Sequence, residues 1–334
     1  MSITDWRALH GDRFEGITTV VTGGAGFIGS HLTGALLALG ARVRVLDDLS
    51  GGDRANLEPP AERYGDRLEF HEGSVLDRPL LADLMRGCRH VFHQAALGSV
   101  PGSIEQPRHY SEVNITGTIN VLEAARAAGA ERVMFAASAA AYGDSEQLPK
   151  LETMPTDCRS PYAATKVAGE ALMAAWAASY PLDTAALRYF NIFGPRQNAN
   201  SAYAAVIAAF AAALIEREQA PVIFGDGEQS RDFTYVDNVV QANLLAAASP
   251  RRLGGAVINI ACGQRISVNT LAAKMAATLG RPHLKPTHQP DRPGDVRHSQ
   301  ADLGRARQLL GYAPIVGFDE GLEPTLGWYQ SVMV

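Results

Sequence analysis

Two short apolar runs flank one amphipathic stretch near the start of the chain. The run ITTVVTG, Ile17 to Gly23, is rich in β-branched residues and ends in glycine, as a strand buried on both faces should. GAGFIGS and HLTGALLALG then predict a tight turn opening an amphipathic helix that stops at Gly40, and ARVRVLDD predicts a second strand. Together they form one βαβ unit with a right-handed crossover. Further strands are predicted around Leu68 to His71, from His90 to Ala95 and from Arg132 to Ser138, with a helix from Asn114 to Ala128 between the last two. An alanine-rich helix from about Pro161 to Tyr180 precedes one more buried strand, TAALRYFN. Beyond Gly194 the rhythm changes, giving a helix near Ala202 to Glu216, a hairpin-like VIFGDGEQSRDF, and a late helix capped by Ser267. Strands alternating with helices predict an α/β fold, a Rossmann-type parallel sheet with a smaller C-terminal substrate-binding part. The dinucleotide domain is expected over 1–187, with returns from about 235–262 in YVDNVVQANLLAAA and AVINIA, and the substrate domain mainly over 188–334.

Composition narrows the partners. A chain of 334 residues can bury a sizeable core without a metal or disulfide. The net charge of -5, from 30 basic and 35 acidic residues without long runs, argues against nucleic acid, which needs a concentrated basic surface. Cys88, Cys158 and Cys262 are odd in number and unpaired in spacing, so they read as thiols in a reducing compartment. No signal-like N-terminal segment is visible, and the apolar stretches fall short of the roughly 20 residues that span a bilayer. A cytoplasmic protein with no membrane contact is expected. No histidine-carboxylate cluster suggests a metal, and His93, at a strand end, reads as a packing residue.

Gly23, Gly26 and Gly29 are spaced GxxGxxG between a strand and a helix. The first permits a sharp turn, the second lets backbone approach a pyrophosphate, and the third allows close helix-strand packing. Such glycines also mark turns that bind nothing, but Asp47 ends the second strand where a carboxylate accepts an adenosine ribose and repels the extra phosphate of NADP. NAD is therefore the expected cofactor. Asp48 has a weaker claim, its other reading being a solvated turn residue. Tyr162 and Lys166 lie four apart in SPYAATK, on one helix face, with Pro161 in the first turn. A lysine ammonium there should lower the tyrosine pKa toward the phenolate, which can take a hydroxyl proton while nicotinamide accepts hydride. Ser138, ending an earlier strand, can bind the same oxygen or cap the chain that follows.

These stretches, with LDDLSGG, HQAALGSVPGSI, NITGT, AASAAAYGD, RYFNIFGPRQ, AYAAVI, GDGEQSRDFTYVDN and RPGDVRHSQAD, resemble the extended short-chain dehydrogenase/reductase family over nearly the whole chain. Within it the likeness is greatest to bacterial UDP-N-acetylglucosamine 4-epimerases. The resemblance implies catalytic roles for Ser138, Tyr162 and Lys166, the lysine also anchoring the nicotinamide ribose. It implies NAD contacts from Phe27, Ile28, Ser50, Gly51, Gln94, Ala95, Ala96 and Tyr189, and a role for Asn114 in steadying the active-site helix, unless Asn114 only caps a turn. Ser74 and Val75 depart from the usual aspartate and branched residue against adenine, which implies a retuned adenine pocket.

On the substrate side the resemblance implies that Arg231 and Arg292 grip a UDP-sugar diphosphate and that Asp295 accepts a ribose hydroxyl. Asn191, Gln197, Ala205 and Val206 are placed near the nucleotide, and Gly98, Ser99, Val100, Ala139 and Ala140 near the sugar. Alanines 139–141 replace a serine-rich run and also stand where related 4,6-dehydratases carry an acidic pair, which favours simple 4-epimerisation. Ser299 replaces a bulky aromatic and leaves room for an N-acetyl group. The implied reaction is C4 epimerisation of UDP-N-acetylglucosamine and UDP-N-acetylgalactosamine through a 4-keto sugar, feeding surface polysaccharide or lipopolysaccharide synthesis. A UDP-glucose or UDP-uronic-acid 4-epimerase, or a non-catalytic NAD-sensing protein, stays open. A homodimer through the two helices near Asn114 and Pro161 is also implied.

Overall fold

The apolar runs become strands because only a sheet covered on both faces can bury them along their whole length. The computed structural model describes residues 2–198, 206–290 and 296–333. Its main sheet has seven parallel strands: β1 (Thr18–Thr22), β2 (Arg42–Asp47), β3 (Leu68–Glu72), β4 (His90–His93), β5 (Arg132–Ser138), β6 (Asp183–Tyr189) and β7 (Ala256–Ile260). Their order is β7-β6-β5-β4-β1-β2-β3. From β1 the chain steps outward through β2 and β3, then crosses back to β4 and continues the other way. Helices on the two sides of that reversal diverge, so a crevice opens at the carboxyl ends of β1 and β4. This is the Rossmann-type arrangement that the sequence pattern predicts.

The seventh strand comes from far along the chain. The helix Val236–Ala248 packs on the helix Phe27–Ala38, and β7 then pairs with β6, all of whose residues are buried. A buried ion pair secures this return. Arg132, at the start of β5, donates from Nε to Asp183 Oδ2 at 2.7 Å. Its remaining nitrogens donate to the carbonyls of Ala246, Ala247, Ser249 and Arg251, so it caps the end of the Val236–Ala248 helix. Asp183 in turn accepts from the backbone N–H groups of Thr184, Leu253 and Gly254.

A second apolar cluster, including Phe193, Phe210, Leu214, Phe233, Leu271 and Tyr329, lies beyond the carboxyl edge of the sheet. Here the expected hairpin does not form. Val222–Phe224 pairs in parallel with Thr287–Gln289, and Ser230–Arg231 pairs antiparallel with Ile266–Ser267. Positive φ at Gly225 and Gly227 splays the two arms, and Asn269 holds the turn by donating to Asp226 O and Glu228 Oε1. Ser267 does cap the late helix, accepting from Thr270 N at 3.2 Å. The helix expected from Asn114 starts earlier, since Pro107–Ser111 runs through a π-helical turn, Glu112–Thr116, into Gly117–Ala127. No helix among the described residues is long and apolar enough to cross a membrane. Replacing Arg132 by alanine leaves Asp183 buried without its cation and should cost about 3–5 kcal/mol. Chemical denaturation of the two proteins checks this, and an unchanged midpoint would show that the pair does not secure the return.

Candidate active site

The glycine turn is shaped by close contacts. Gly23 has φ +69°, and a Cβ there would lie 2.6 Å from Ala95 N. A Cβ on Gly29 would lie 2.0 Å from Gly23 O, so only glycine lets the helix Phe27–Ala38 sit against the end of β1. Asp47 reaches across from β2. Its carboxylate accepts from Ala25 N and Leu49 N, both at 2.9 Å, and burial pushes its pKa up. The start of the helix, with free N–H groups and the positive dipole end, faces the crevice between β1 and β4.

That crevice gathers most of the residues expected to meet NAD. Gly23, Gly26, Phe27, Ile28, Gly29, Asp47, Asp48, Ser50, Gly51 and Val75 line it, together with Gln94, Ala95, Ala96, Tyr162, Lys166 and Tyr189. Leu46, Gly52, Gly73, Leu97, Val113, Ala136 and Ala137 join them without having been singled out in the sequence. Gly52 and Gly73 directly adjoin expected residues, whereas Ala136 and Ala137 lie near the carboxyl end of β5, which borders the crevice. Gly98, expected beside the sugar, also lines this crevice.

Two of the expected residues lie off the crevice lining. Ser74 is not on the lining, because its Oγ accepts from Leu76 N at 3.2 Å in a local turn, leaving Gly73 and Val75 to face the space. Asn114 is not on it either. Its Oδ1 accepts from Leu97 N at 2.9 Å, and its Nδ2 donates to Leu97 O and to Thr165 Oγ1, both at 3.1 Å. Asn114 therefore ties the loop after β4 to the helix bearing Tyr162.

This tie belongs to a longer chain. Thr165 Oγ1 donates to Tyr162 O at 2.8 Å, and Thr118 Oγ1 donates to Asn114 O at 2.7 Å. His93 Nε2 lies 2.9 Å from Thr118 Oγ1 and its Nδ1 lies 2.8 Å from Thr22 Oγ1. Because the Thr118 proton is already given to Asn114, neutral His93 donates from Nε2 and accepts at Nδ1. Burial first, and the Lys166 charge second, lower His93 to about 3, so it is a neutral bridge between strand and helix.

Ser160 caps the helix Pro161–Ser179 by accepting from Ala163 N at 3.1 Å, and Pro161 follows as its first residue. Tyr162 and Lys166 consequently face the end of β5, where Ser138 lies in register with Tyr189 of β6. Lys166 Nζ donates to Ala136 O at 2.8 Å and lies 5.9 Å from the Tyr162 ring centroid. Burial lowers the ammonium to about 8. The Tyr162 pKa runs opposite to the expectation: burial raises it, while a hydrogen bond with Ser138 pulls it down. Desolvation of the phenolate outweighs a lysine whose ammonium is directed at a β5 carbonyl. Tyr189 OH accepts from Asn243 Nδ2 at 2.8 Å and donates to Gln94 Oε1 at 3.3 Å, which fixes the neighbouring wall.

The substrate-side residues are only partly gathered. Ala205, Arg292 and Asp295 lie outside the described residues. Arg231 and Ser299 come together through Ser230, whose carbonyl accepts from Ser299 N at 3.0 Å and from Arg231 Nη1 at 3.1 Å. Asp232, not singled out in the sequence, holds this region. Its buried carboxylate accepts from Cys262 N, Gly263 N and Ala301 N, binding three segments together. Asn191 is exposed, and Gln197 Nε2 donates to Ile192 O at 2.9 Å. Val206 opens the helix Val206–Ala211, while Ser99 caps Val100–Glu105 by accepting from Gly102 N at 3.0 Å. Ala139 and Ala140 sit in a 3-10 turn after Ser138 that contains no carboxylate.

Comparison with known proteins agrees with this geometry. Residues 19–261 match the NAD dependent epimerase/dehydratase family. A UDP-glucose 4-epimerase of Mycolicibacterium smegmatis is 39% identical over 94% of this chain and 98% of its own length. The structure of a UDP-N-acetylglucosamine 4-epimerase from Methanobrevibacter ruminantium, in complex with UDP-N-acetylmuramic acid, superposes with a TM-score of 0.89 at 38% identity, covering 95% of this chain and 99% of that one. A Thermus thermophilus UDP-glucose 4-epimerase in complex with NAD has a TM-score of 0.82 at 33% identity, covering 95% of this chain and 100% of that one. Gly29→Ala should push the helix off β1 and weaken NAD binding by roughly tenfold or more, about 1.4 kcal/mol. Calorimetric titration with NAD checks it, and wild-type affinity would mean that the turn does not set the cradle.

Proposed function

The chain belongs to the NAD dependent epimerase/dehydratase family, and on that footing we propose that it interconverts UDP-N-acetylglucosamine and UDP-N-acetylgalactosamine by inverting C4. UDP-glucose and UDP-galactose are further substrates in this reading. The observation that carries it is Tyr162 and Lys166 on the lining of the cofactor crevice, with Ser138 hydrogen-bonded to Tyr162 and followed by a turn of alanines. That turn offers no second acid or base for dehydration, whereas C4 inversion needs one group to move one proton.

The residues present fit NAD: a glycine cradle that a Cβ would fill, a helix N-terminus for the pyrophosphate, and Asp47 at the end of β2. When bound, NAD supplies reversible hydride transfer. Tyr162 takes the O4 proton as C4 becomes a ketone, with Ser138 sharing the hydrogen bond to the same oxygen. The 4-keto sugar turns its opposite face to the cofactor, and Tyr162 returns the proton as C4 is reduced. Since burial raises the Tyr162 pKa, this step relies on the Ser138 hydrogen bond, which pulls it down, with the Lys166 charge 5.9 Å from the ring centroid as a second aid to ionisation. Lys166 would also hold the nicotinamide ribose.

Beyond the crevice, Arg231 with Arg292 holds the diphosphate, Asp295 a ribose hydroxyl, and Asn191, Gln197, Ala205 and Val206 the nucleotide. Gly98, Ser99, Val100, Ala139 and Ala140 border the sugar, and Ser299 leaves space for its acetamido group. The chain works in the cytoplasm as a homodimer, pairing the helices Gly117–Ala127 and Pro161–Ser179. Exposed Ala164, Ala171 and Ala175 on the second helix allow that close packing. The likeness to the Mycolicibacterium smegmatis protein favours a second reading, in which UDP-glucose is preferred.

Proton NMR of the enzyme with UDP-N-acetylglucosamine and, separately, UDP-glucose decides between the readings. Faster appearance of UDP-N-acetylgalactosamine is expected. Ser299→Tyr should reduce kcat/KM for the acetylated sugar by roughly tenfold or more and spare UDP-glucose. Faster UDP-galactose formation transfers the assignment to UDP-glucose, and no product from either sugar with NAD present defeats 4-epimerisation. A pH series tests Lys166. Its charge is present below about 8 and lost above, so NAD affinity should fall as pH rises through that value. Lys166→Met should remove this limb, and a limb that persists in the variant would assign it elsewhere.

A further inference from the structure

A second cavity, of about 420 Å3, lies behind the helix Phe27–Ala38 and shares no lining residue with the cofactor crevice. Its walls include Pro60, Tyr64, Ser30 and Gly34, with Arg63 and Arg196. A Cβ built on Gly34 meets nothing within 4 Å, so the space over that face of the helix is open.

Arg196 is the unusual member. It is half-buried, and burial alone lowers its pKa, with no carboxylate acting on it. No hydrogen bond or ion pair joins its side chain to another described residue. The neighbouring His31 offers no counter-charge: burial first, and the Arg196 charge second, hold it at about 3. Arg63 also lacks a carboxylate partner among the described residues and rests 5.4 Å from the Tyr64 ring centroid. The one carboxylate on the wall, Asp5, caps the helix Trp6–His10 by accepting from Ala8 N.

The backbone holds Arg196 in a conformation that arginine disfavours. Its φ is +68°, in the left-handed region. The residue before it is pinned by His31 Nε2 at 3.0 Å from Pro195 O, and the residue after it by Tyr329 OH donating to Gln197 O at 3.0 Å. Backbone strain, an unpaired cation and an open cavity meet at one residue. The unpaired charge is a cost that a ligand of opposite charge would offset.

We propose that this cavity is a binding site for a phosphate group, gripped by Arg196 with Arg63 at its mouth, separate from the NAD and UDP-sugar sites. The arginine fork matches phosphate oxygens, and Pro60 with Tyr64 gives an apolar border suited to the carbon portion of a small phosphate ester. Gln197, beside Arg196, is one of the residues assigned above to the substrate nucleotide, so the site adjoins the segment that reads substrate.

Calorimetry tests this on protein saturated with NAD and UDP, so that the phosphate-binding surfaces of the crevice are filled. The probes are inorganic phosphate and phenyl phosphate, at ionic strength matched with chloride. One saturable site is expected, with phenyl phosphate the tighter if an ester is the natural occupant and equal binding if the free ion is. Arg196→Gln should weaken it at least tenfold, Arg63→Gln several-fold, and Gly34→Leu should block it by filling the space. Ligand-free Arg196→Gln should melt no lower than wild type, because the arginine it removes is unpaired, whereas an arginine kept for structure would melt lower. The proposal falls if neither probe binds beyond the chloride control, or if Arg196→Gln and Gly34→Leu both bind as wild type does.

Discussion

The fold turns on a contact with no room in it, between the α-carbon of Gly29 and the carbonyl of Gly23. A helix can be seated this close to the strand before it only where side chains are missing on the touching face. Once seated, its positive end faces the crevice, and Asp47 locks the turn from the neighbouring strand through Ala25. The helix Val236–Ala248 then packs on the same helix, so the part of the chain that returns to the sheet is also referred to this one contact. Moving the helix outward would shift both the cofactor cradle and the surface that receives the return.

The catalytic side is referred to the same point by a different force. Thr22, at the end of β1, starts a run of hydrogen bonds through His93, Thr118, Asn114 and Thr165 to the carbonyl of Tyr162. Each of its side-chain groups is paired, which a buried polar run requires if it is not to cost stability. The cofactor turn and the tyrosine helix, far apart in sequence, are thus set relative to each other by side chains that touch neither cofactor nor substrate.

Local patterns in the sequence made the sheet legible, because β-branched runs, glycine turns and a Ser-Pro cap act within a few residues. The same holds for the cofactor end of the crevice, where most lining residues belong to motifs. What could not be read depended on distant partners. The arms around Gly225 looked like a hairpin, yet their partners lie at 266–267 and 287–289. Asn114 reads as a support of the active-site helix or as a turn cap, and only the approach of Leu97 and Thr165 shows which groups it ties together. Asp232 looks like an ordinary acid beside an arginine, and only the arrival of residues 262, 263 and 301 makes it a junction. The direction of the Tyr162 shift was also out of reach, since helical spacing shows lysine near tyrosine but not how much water either has lost.

The late arrival of β7 has a bearing on how the protein is made. On the ribosome, residues through Tyr189 emerge with β6 as the open edge of a six-stranded sheet, its flank apolar and its backbone unpaired on one side. That edge stays available to any other extended chain until residues 256–260 have been synthesised and docked. Arg132 and Asp183 wait at the same border with most of their partners still untranslated. The interval during which about seventy further residues are added is therefore when the nascent protein is most open to wrong pairing, and shielding by a chaperone would matter most there.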